Sequence, residues 1–402
     1  MTQTPRRQDD FYTSMGLRRV INAAGHASRL GGTRLAKPVI DAMVDASQSF
    51  VPIAEMQARA SELIVEFMGA EAGCVASGAD ACLTLAAAAC MTGDNRAAMD
   101  QLPDTTGLKN EIVMHRAHRM SYDHALRLSG ARLVEFGYLT TSSGAGAYRW
   151  QMEAAITERT AACFYVGIPM DSTLDFKTFV EISHSRGLPV IVDGAPTQVP
   201  PENFKRWIDM GADLVACAGG KFIGGPAATG FLAGRRDLVR SAALQQQDAF
   251  IHPEVYSEPF GVDEGQSEPP HNGIGRVLKV GREELAGLMT ALRLCESRDY
   301  AAERQQRIAL SQRLSQAIKQ RNFDSVTVKD DDPVNAITLV FGTPQQAARV
   351  VRELQDGAPR VFVLNARISQ REIMILPHCV LPEEVAPLER RLLESIAVAV
   401  LT

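Results

Sequence analysis

The sequence predicts an α/β fold, a mainly parallel sheet covered by helices on both faces, with a smaller α+β lobe at its C-terminal end. Three observations predict it. From residue 72 to 217, short apolar runs alternate with helical stretches, the mark of repeated strand–helix–strand crossovers. The runs, such as Leu188-Pro-Val-Ile-Val and Ala212-Asp-Leu-Val-Ala, are apolar throughout, as strands buried on both faces are. Past about residue 320 the pattern changes to separate strands and helices.

In chain order, residues 17–34 read as a short strand running into a Gly-rich loop. Its polar side chains, Asn22, His26, Arg29 and Arg34, make it a candidate substrate lid. Pro38–Ser47 is a helix with proline in its first turn, and Gln57–Met68 is a second helix ended by Gly69. Ala72–Ala76 is a strand. The turn Ser77-Gly78-Ala79-Asp80 follows and opens an Ala-rich helix to about Met91. Residues 93–110 have loop composition. Strands at Glu111–His115 and Ala131–Phe136 flank a helix reaching Ser129. After a Ser/Gly loop at 140–146 come a helix (Met152–Arg159) and a strand (Ala161–Gly167) stopped by Pro169. Helices Phe176–Arg186 and Phe204–Met210 each lead into one of the apolar runs. A strand (Thr229–Ala233) and a helix (Arg235–Gln247) close this part. Residues 251–271 read as irregular. Glu283–Gln320 reads as one long helix. Strands at Ser325–Lys329, Ala336–Phe341 and Glu372–Leu376 and helices at Gln345–Leu354 and Glu383–Val398 form the last lobe. The expected organisation is an arm at 1–50 that completes the small domain, a large domain at 51–285 and a small domain at 286–402.

The 402 residues are 46% hydrophobic and 22% charged, with a formal net charge of −5. That is an ordinary globular composition with no basic run, which argues against a nucleic-acid partner. No apolar run is long enough to span a bilayer, and residues 1–10 are too polar for a secretory signal. The seven cysteines are scattered singly without a CxxC. Reduced thiols in the cytoplasm are expected, with no disulfide framework and no metal site.

The chemistry is carried by Asp193 and by Lys221. Asp193 closes one apolar run. Lys221 follows the next, framed by Gly219, Gly220, Gly224 and Gly225. Ligands of open α/β sheets bind at the carboxyl ends of strands, so both side chains should reach one crevice. A lysine and an acid so placed suit pyridoxal phosphate: the amine forms a Schiff base with the aldehyde, and the acid pairs with the ring nitrogen. The bland alternative is a strand-end Asp and a solvated loop Lys. Ser77, Gly78 and Ala79, small residues at a helix start, could receive the phosphate; alternatively Ser77 and Asp80 only cap their own helix. His115 and His118 could stack on the ring or be structural.

These pieces resemble the fold-type-I pyridoxal-phosphate enzymes, most of all the group around bacterial selenocysteine synthase and D-glucosaminate-6-phosphate ammonia-lyase. The matching segments are Arg19-Val-Ile-Asn-Ala-Ala-Gly25, Gly69 to Ala79, Asp193-Gly-Ala, Gly219-Gly-Lys-Phe-Ile-Gly-Gly-Pro226 through Gly230, and Gly275-Arg-Val-Leu-Lys-Val-Gly-Arg-Glu-Glu284. The resemblance implies that Lys221 holds the cofactor and Asp193 its ring nitrogen, that Ser77, Gly78 and Ala79 line the phosphate cup, and that Gly220 lies against the cofactor. Where the family usually has a serine this chain has Ala218. The resemblance also implies at least a homodimer. The extra tRNA-binding region of selenocysteine synthase has no counterpart, so no tRNA partner is expected. The expected reaction is α,β-elimination from a β-hydroxy amino acid or amino sugar acid, with retro-aldol cleavage or racemisation as the alternative and an aminotransferase or selenocysteine synthase-like transfer behind them. An arginine should hold the substrate carboxylate. Arg29, Arg276 and Arg367 are candidates, with Asn22 beside them.

Overall fold

A computed structural model describes residues 11–139, 146–168, 170, 173–247, 252, 254, 272–330 and 336–400. The Ser/Gly loop expected at 140–146 lies outside them save for Gly146, as does most of the irregular stretch at 251–271. The chain divides into two compact units. One runs from Leu35 to Arg298; the other joins the chain up to Arg34 with the chain from Asp299 onward. The expected breaks at 50 and 285 are thus displaced. Helix Lys37–Ser47 packs on helix Arg282–Ser297, so both lie in the larger unit.

The chain first lays down β1 (Val20–Ala23) in the smaller unit, then β2 (Ala72–Ala76), β3 (Glu111–His115), β4 (Arg132–Phe136), β5 (Thr160–Val166), β6 (Val190–Asp193), β7 (Leu214–Ala218) and β8 (Gly230–Gly234) in the larger. These seven form one sheet in the order β2-β8-β7-β6-β5-β3-β4. β7, β6, β5, β3 and β4 are parallel, while β8 runs antiparallel to both of its neighbours. A sheet of mostly parallel strands must be covered on both faces, and two separate cores do this. One holds Ile64, Phe67, Phe179, Phe204 and Trp207 beneath helices Ile53–Met68, Phe176–Ser185 and Glu202–Asp209. The other packs the Ala-rich helix Ala79–Thr92 against Ile112, Phe164 and Leu232. Alanines let that helix approach closely, and twelve of its fourteen residues are buried. The open edge of β2 is closed by side chains: Gln57 exchanges two hydrogen bonds of 3.0 Å with the Val75 backbone, and Ser61 accepts from Gly73 N–H. Such cover keeps an edge strand from pairing with another chain.

In the smaller unit, β9 (Val326–Lys329), β10 (Ile337–Phe341) and β12 (Glu372–Ile375) form an antiparallel sheet in the order β12-β10-β9. β11 (Arg360–Val363), not expected from the sequence, pairs in parallel with β1. The long helix expected at 283–320 is two helices, broken at Arg298; Asp299 caps the second by accepting from Ala302 N–H at 2.9 Å. The expected loop at 93–110 contains helix Arg96–Gln101, capped by Asn95. The helix expected after His115 is real only over His124–Leu128.

Candidate active site

β8 is antiparallel to both β2 and β7, so β2 and β7 point the same way. The carboxyl ends of β2, β3, β5, β6 and β7 therefore share one edge. Ser77, His115, Asp193 and Lys221 lie at or just past those ends. The topology brings together what the sequence left far apart.

Asp193 is buried. Its Oδ1 accepts a hydrogen bond from Ala195 N–H at 3.0 Å. Lys221 Nζ donates to the Ala195 carbonyl at 3.3 Å. One residue thus joins the acid and the amine, through its two backbone groups. Burial pushes the Asp193 carboxyl above its usual range; the Ala195 N–H and the Lys221 charge pull it back, and the Asp80 charge adds to the rise. A buried carboxyl without a cation against it is set to receive one. Lys221 sits in the tight turn Gly219–Ile223. A Cβ on Gly220 would lie 2.5 Å from Ala227 Cα, so only glycine lets the lysine loop pass.

The turn after β2 begins helix Ala79–Thr92 without any side-chain cap, so the capping alternative for Ser77 and Asp80 does not hold. Gly78 has φ +111°, ψ 171°, which a side chain disfavours, and nothing stands within 4 Å of the place its Cβ would take. An open hollow before uncapped first-turn N–H groups is an anion site. Ser77 N–H donates to Leu278 O at 3.0 Å, leaving its exposed side chain available. The turn is held from behind by Gly230, where a Cβ would come within 2.6 Å of Ala79 N.

His115 is buried; its Nδ1 accepts from Ala117 N–H at 2.9 Å and its ring packs 5.2 Å from Phe136. Burial, opposed by the Gly146 carbonyl and aided by Arg116, lowers its pKa. His118 is fully buried, its ring edge-on to Tyr165 at 4.5 Å. Burial, with His115 beside it, lowers its pKa to about 4. Its Nε2 has no partner among the described residues.

Arg276 lies in the segment that meets Ser77, two residues before Leu278. Asn22, Arg29 and Arg367 lie in the smaller unit. Asn22 closes its own turn, accepting from Ala24 N–H and donating to Gly25 O, both at 2.9 Å. Arg29 donates to Val363 O at 3.3 Å, and Arg367 stands 3.5 Å from Glu372. Three participants escaped the sequence reading: the Ala195 bridge, the close approach of Gly230, and Asp80 as a charge near both Lys221 and Asp193. Their residues left traces without these roles: Ala195 in the Asp193-Gly-Ala match, Gly230 in a Gly-rich match and Asp80 as a possible cap.

The residues present fit pyridoxal phosphate on their own geometry: an anion hollow at Gly78, a buried acid short of a cation, an amine beside it and an orphaned imidazole nitrogen. Comparison with known proteins agrees. The family model for Cys/Met metabolism PLP-dependent enzymes matches residues 56–249. D-glucosaminate-6-phosphate ammonia lyase of Salmonella typhimurium is 33% identical over 290 residues, 70% of this chain and 69% of that one. A 5'-C-glycyluridine monooxygenase-decarboxylase of Streptomyces sp is 29% identical over 407 residues, 95% of this chain and 91% of that one. A solved D-glucosaminate-6-phosphate ammonia-lyase superposes with a TM-score of 0.78 at 28% identity, covering 98% of this chain and 99% of that one.

Proposed function

Because the chain belongs to the fold-type-I pyridoxal-phosphate enzymes, in the group of D-glucosaminate-6-phosphate ammonia lyase, we propose that this PLP-dependent lyase carries out α,β-elimination on a β-hydroxy amino acid or amino sugar acid. The products are a 2-oxo acid and ammonia. The observation that carries this reading is the Ala195 bridge: it fixes Lys221 Nζ and the Asp193 carboxyl in one register, through contacts of 3.3 and 3.0 Å.

When bound, pyridoxal phosphate supplies the electron sink that makes the substrate Cα–H acidic. Lys221 would hold it, Asp193 would keep its ring nitrogen protonated, and the turn at Ser77, Gly78 and Ala79 would take its phosphate. Lys221 Nζ would take the α-proton of the substrate. Gly220 keeps backbone out of the way, and His118, neutral at ordinary pH, is the candidate for the ring face, with His115 packing behind it. Arg276 is the large unit's candidate for a substrate carboxylate, since its segment adjoins Ser77.

The same reading has the enzyme working in the cytoplasm as at least a homodimer on a small-molecule substrate, without nucleic acid or membrane. No helix among the described residues is long and apolar enough to cross a membrane. Exposed Ile40, Val44, Phe50, Val51 and Ile53 offer a surface for a second copy.

The test is an absorption spectrum of the purified protein and of Lys221→Ala, followed by a panel of D- and L-β-hydroxy amino acids and amino sugar acids. A visible cofactor band that the substitution abolishes, with ammonia and a 2-oxo acid in equal amounts from one panel member, is the expected result. Glycine plus an aldehyde would indicate retro-aldol cleavage, inverted substrate racemisation, and carbon dioxide decarboxylation. No band after adding pyridoxal phosphate would sink every version.

A further inference from the structure

Loss of a hydroxyl from Cβ needs a proton for the departing oxygen, while Lys221 Nζ is engaged with the α-proton. The donor must stand on the same sheet edge, near Lys221, with its own oxygens uncommitted. Asp80 meets these conditions. Ala76 and Ala218 both pair with Gly230. The segments bearing Asp80 and Lys221 therefore leave the sheet together, one strand apart, or roughly 10 Å between their backbones. Asp80 is the second residue of its helix, where an acid often caps. Here no side chain caps the helix. The Asp80 carbonyl accepts from Thr84 Oγ1 at 3.1 Å, which fixes the turn. Its carboxyl makes no hydrogen bond or ion pair with the described residues. The residue is exposed to solvent at the mouth of the turn, and partial burial of its carboxyl still raises its pKa against the pull of Lys221. A phosphate at the same helix start would push in the same direction as burial.

We propose that Asp80 is the general acid that protonates the departing β-hydroxyl, an inference that rests on the elimination reading and deepens it. The Cβ–O bond breaks with its electron pair on oxygen. The carboxyl proton of Asp80 passes to that oxygen and water leaves; the carboxylate then takes a proton back from solvent. Lys221 and Asp80 divide the work as base and acid, and the substrate class is narrowed to poor leaving groups that need a proton.

Asp80→Asn tests this in the cofactor-loaded protein, with the visible cofactor band confirming that the variant is folded and loaded. Elimination from a hydroxy amino acid should fall by about 10²- to 10⁴-fold. Elimination of chloride from 3-chloroalanine, which leaves without a proton, should be far less affected, as should α-proton exchange into D₂O. Asp80→Glu should recover part of the loss. Equal slowing for both leaving groups overturns the proposal. A readout that needs neither cofactor nor turnover is the infrared carboxyl band of the apo protein followed across pH, with the Asp80 band identified by its loss in Asp80→Asn. A band that titrates above the ordinary carboxylate range supports the proposal, and one that titrates within or below that range overturns it. A wild type that exchanges no α-proton and eliminates neither substituent sinks the elimination reading itself, whereas normal wild-type turnover with an indifferent Asp80→Asn sinks only the role of Asp80.

Discussion

Asp193 shows function opposing stability within a single side chain. Its carboxyl is raised by burial, so the folded apo protein holds a proton there that the unfolded chain releases. Apo stability therefore falls as pH climbs from the ordinary carboxylate range through the raised value, and stays lower above it. Asparagine carries no charge and keeps the Oδ1 bond to Ala195. Apo Asp193→Asn should melt above the wild type at pH 8, with the difference vanishing in acid, while turnover of the loaded enzyme falls on the order of 10²-fold or more. Calorimetry across pH on both apo proteins checks this; a variant less stable at pH 8 would contradict it. Asp193 and Lys221 were legible because each ends an apolar run in a Gly-marked setting. Ala195 was not, because a backbone bridge carries no residue-type signature. Asp80 was visible only as a possible cap, and deciding otherwise needed the strand order that puts it near Lys221.

At the scale of elements, the anion hollow is built by two segments far apart in sequence, the turn after β2 and the start of β8. Gly230 faces the turn with no side chain, and a Cβ there would sit 2.3 Å from Gly78 C and 2.6 Å from Ala79 N. Neither strand can yield, since β8 is bonded on both sides. The turn must move instead. Gly230→Ala should cost about 1–3 kcal/mol and weaken retention of pyridoxal phosphate at least tenfold. Urea midpoints of the apo protein and dialysis of the loaded one measure the two effects, and unchanged retention would show that the turn does not receive the phosphate. Elements with strong periodic or apolar runs, such as β2, β3 and helix Phe176–Ser185, were readable from the sequence almost to the residue. β11 was not, because its partner β1 lies some 340 positions away and a four-residue strand has little pattern of its own. The break at Arg298 and helix Arg96–Gln101 depend on Asp299 and Asn95 as caps, single-residue signals that continuous helical or loop composition conceals.

For the whole molecule, the two units were legible as a change of pattern, but their bounds were set by packing: helix Lys37–Ser47 joins the larger unit because its partner is helix Arg282–Ser297. The same helix and the residues after it leave an apolar face uncovered. Ile40, Val44, Val51 and Ile53 are 42–56% exposed, and Phe50 is 96% exposed with the Arg282 guanidinium over its ring at 4.8 Å. Five large exposed apolar side chains within fourteen positions suit a surface that a partner covers. Aromatic side chains at the centre of such patches carry much of the association energy. A second copy covering this face would remove Phe50 from water, and an aspartate there would face a desolvated partner surface. Phe50→Asp should therefore shift the sedimenting species at micromolar concentration from dimer or larger to monomer, while the fold of each unit, read by far-UV circular dichroism, stays intact. A wild type that sediments as a monomer would remove the homodimer from the proposed function and leave the apolar face to another partner.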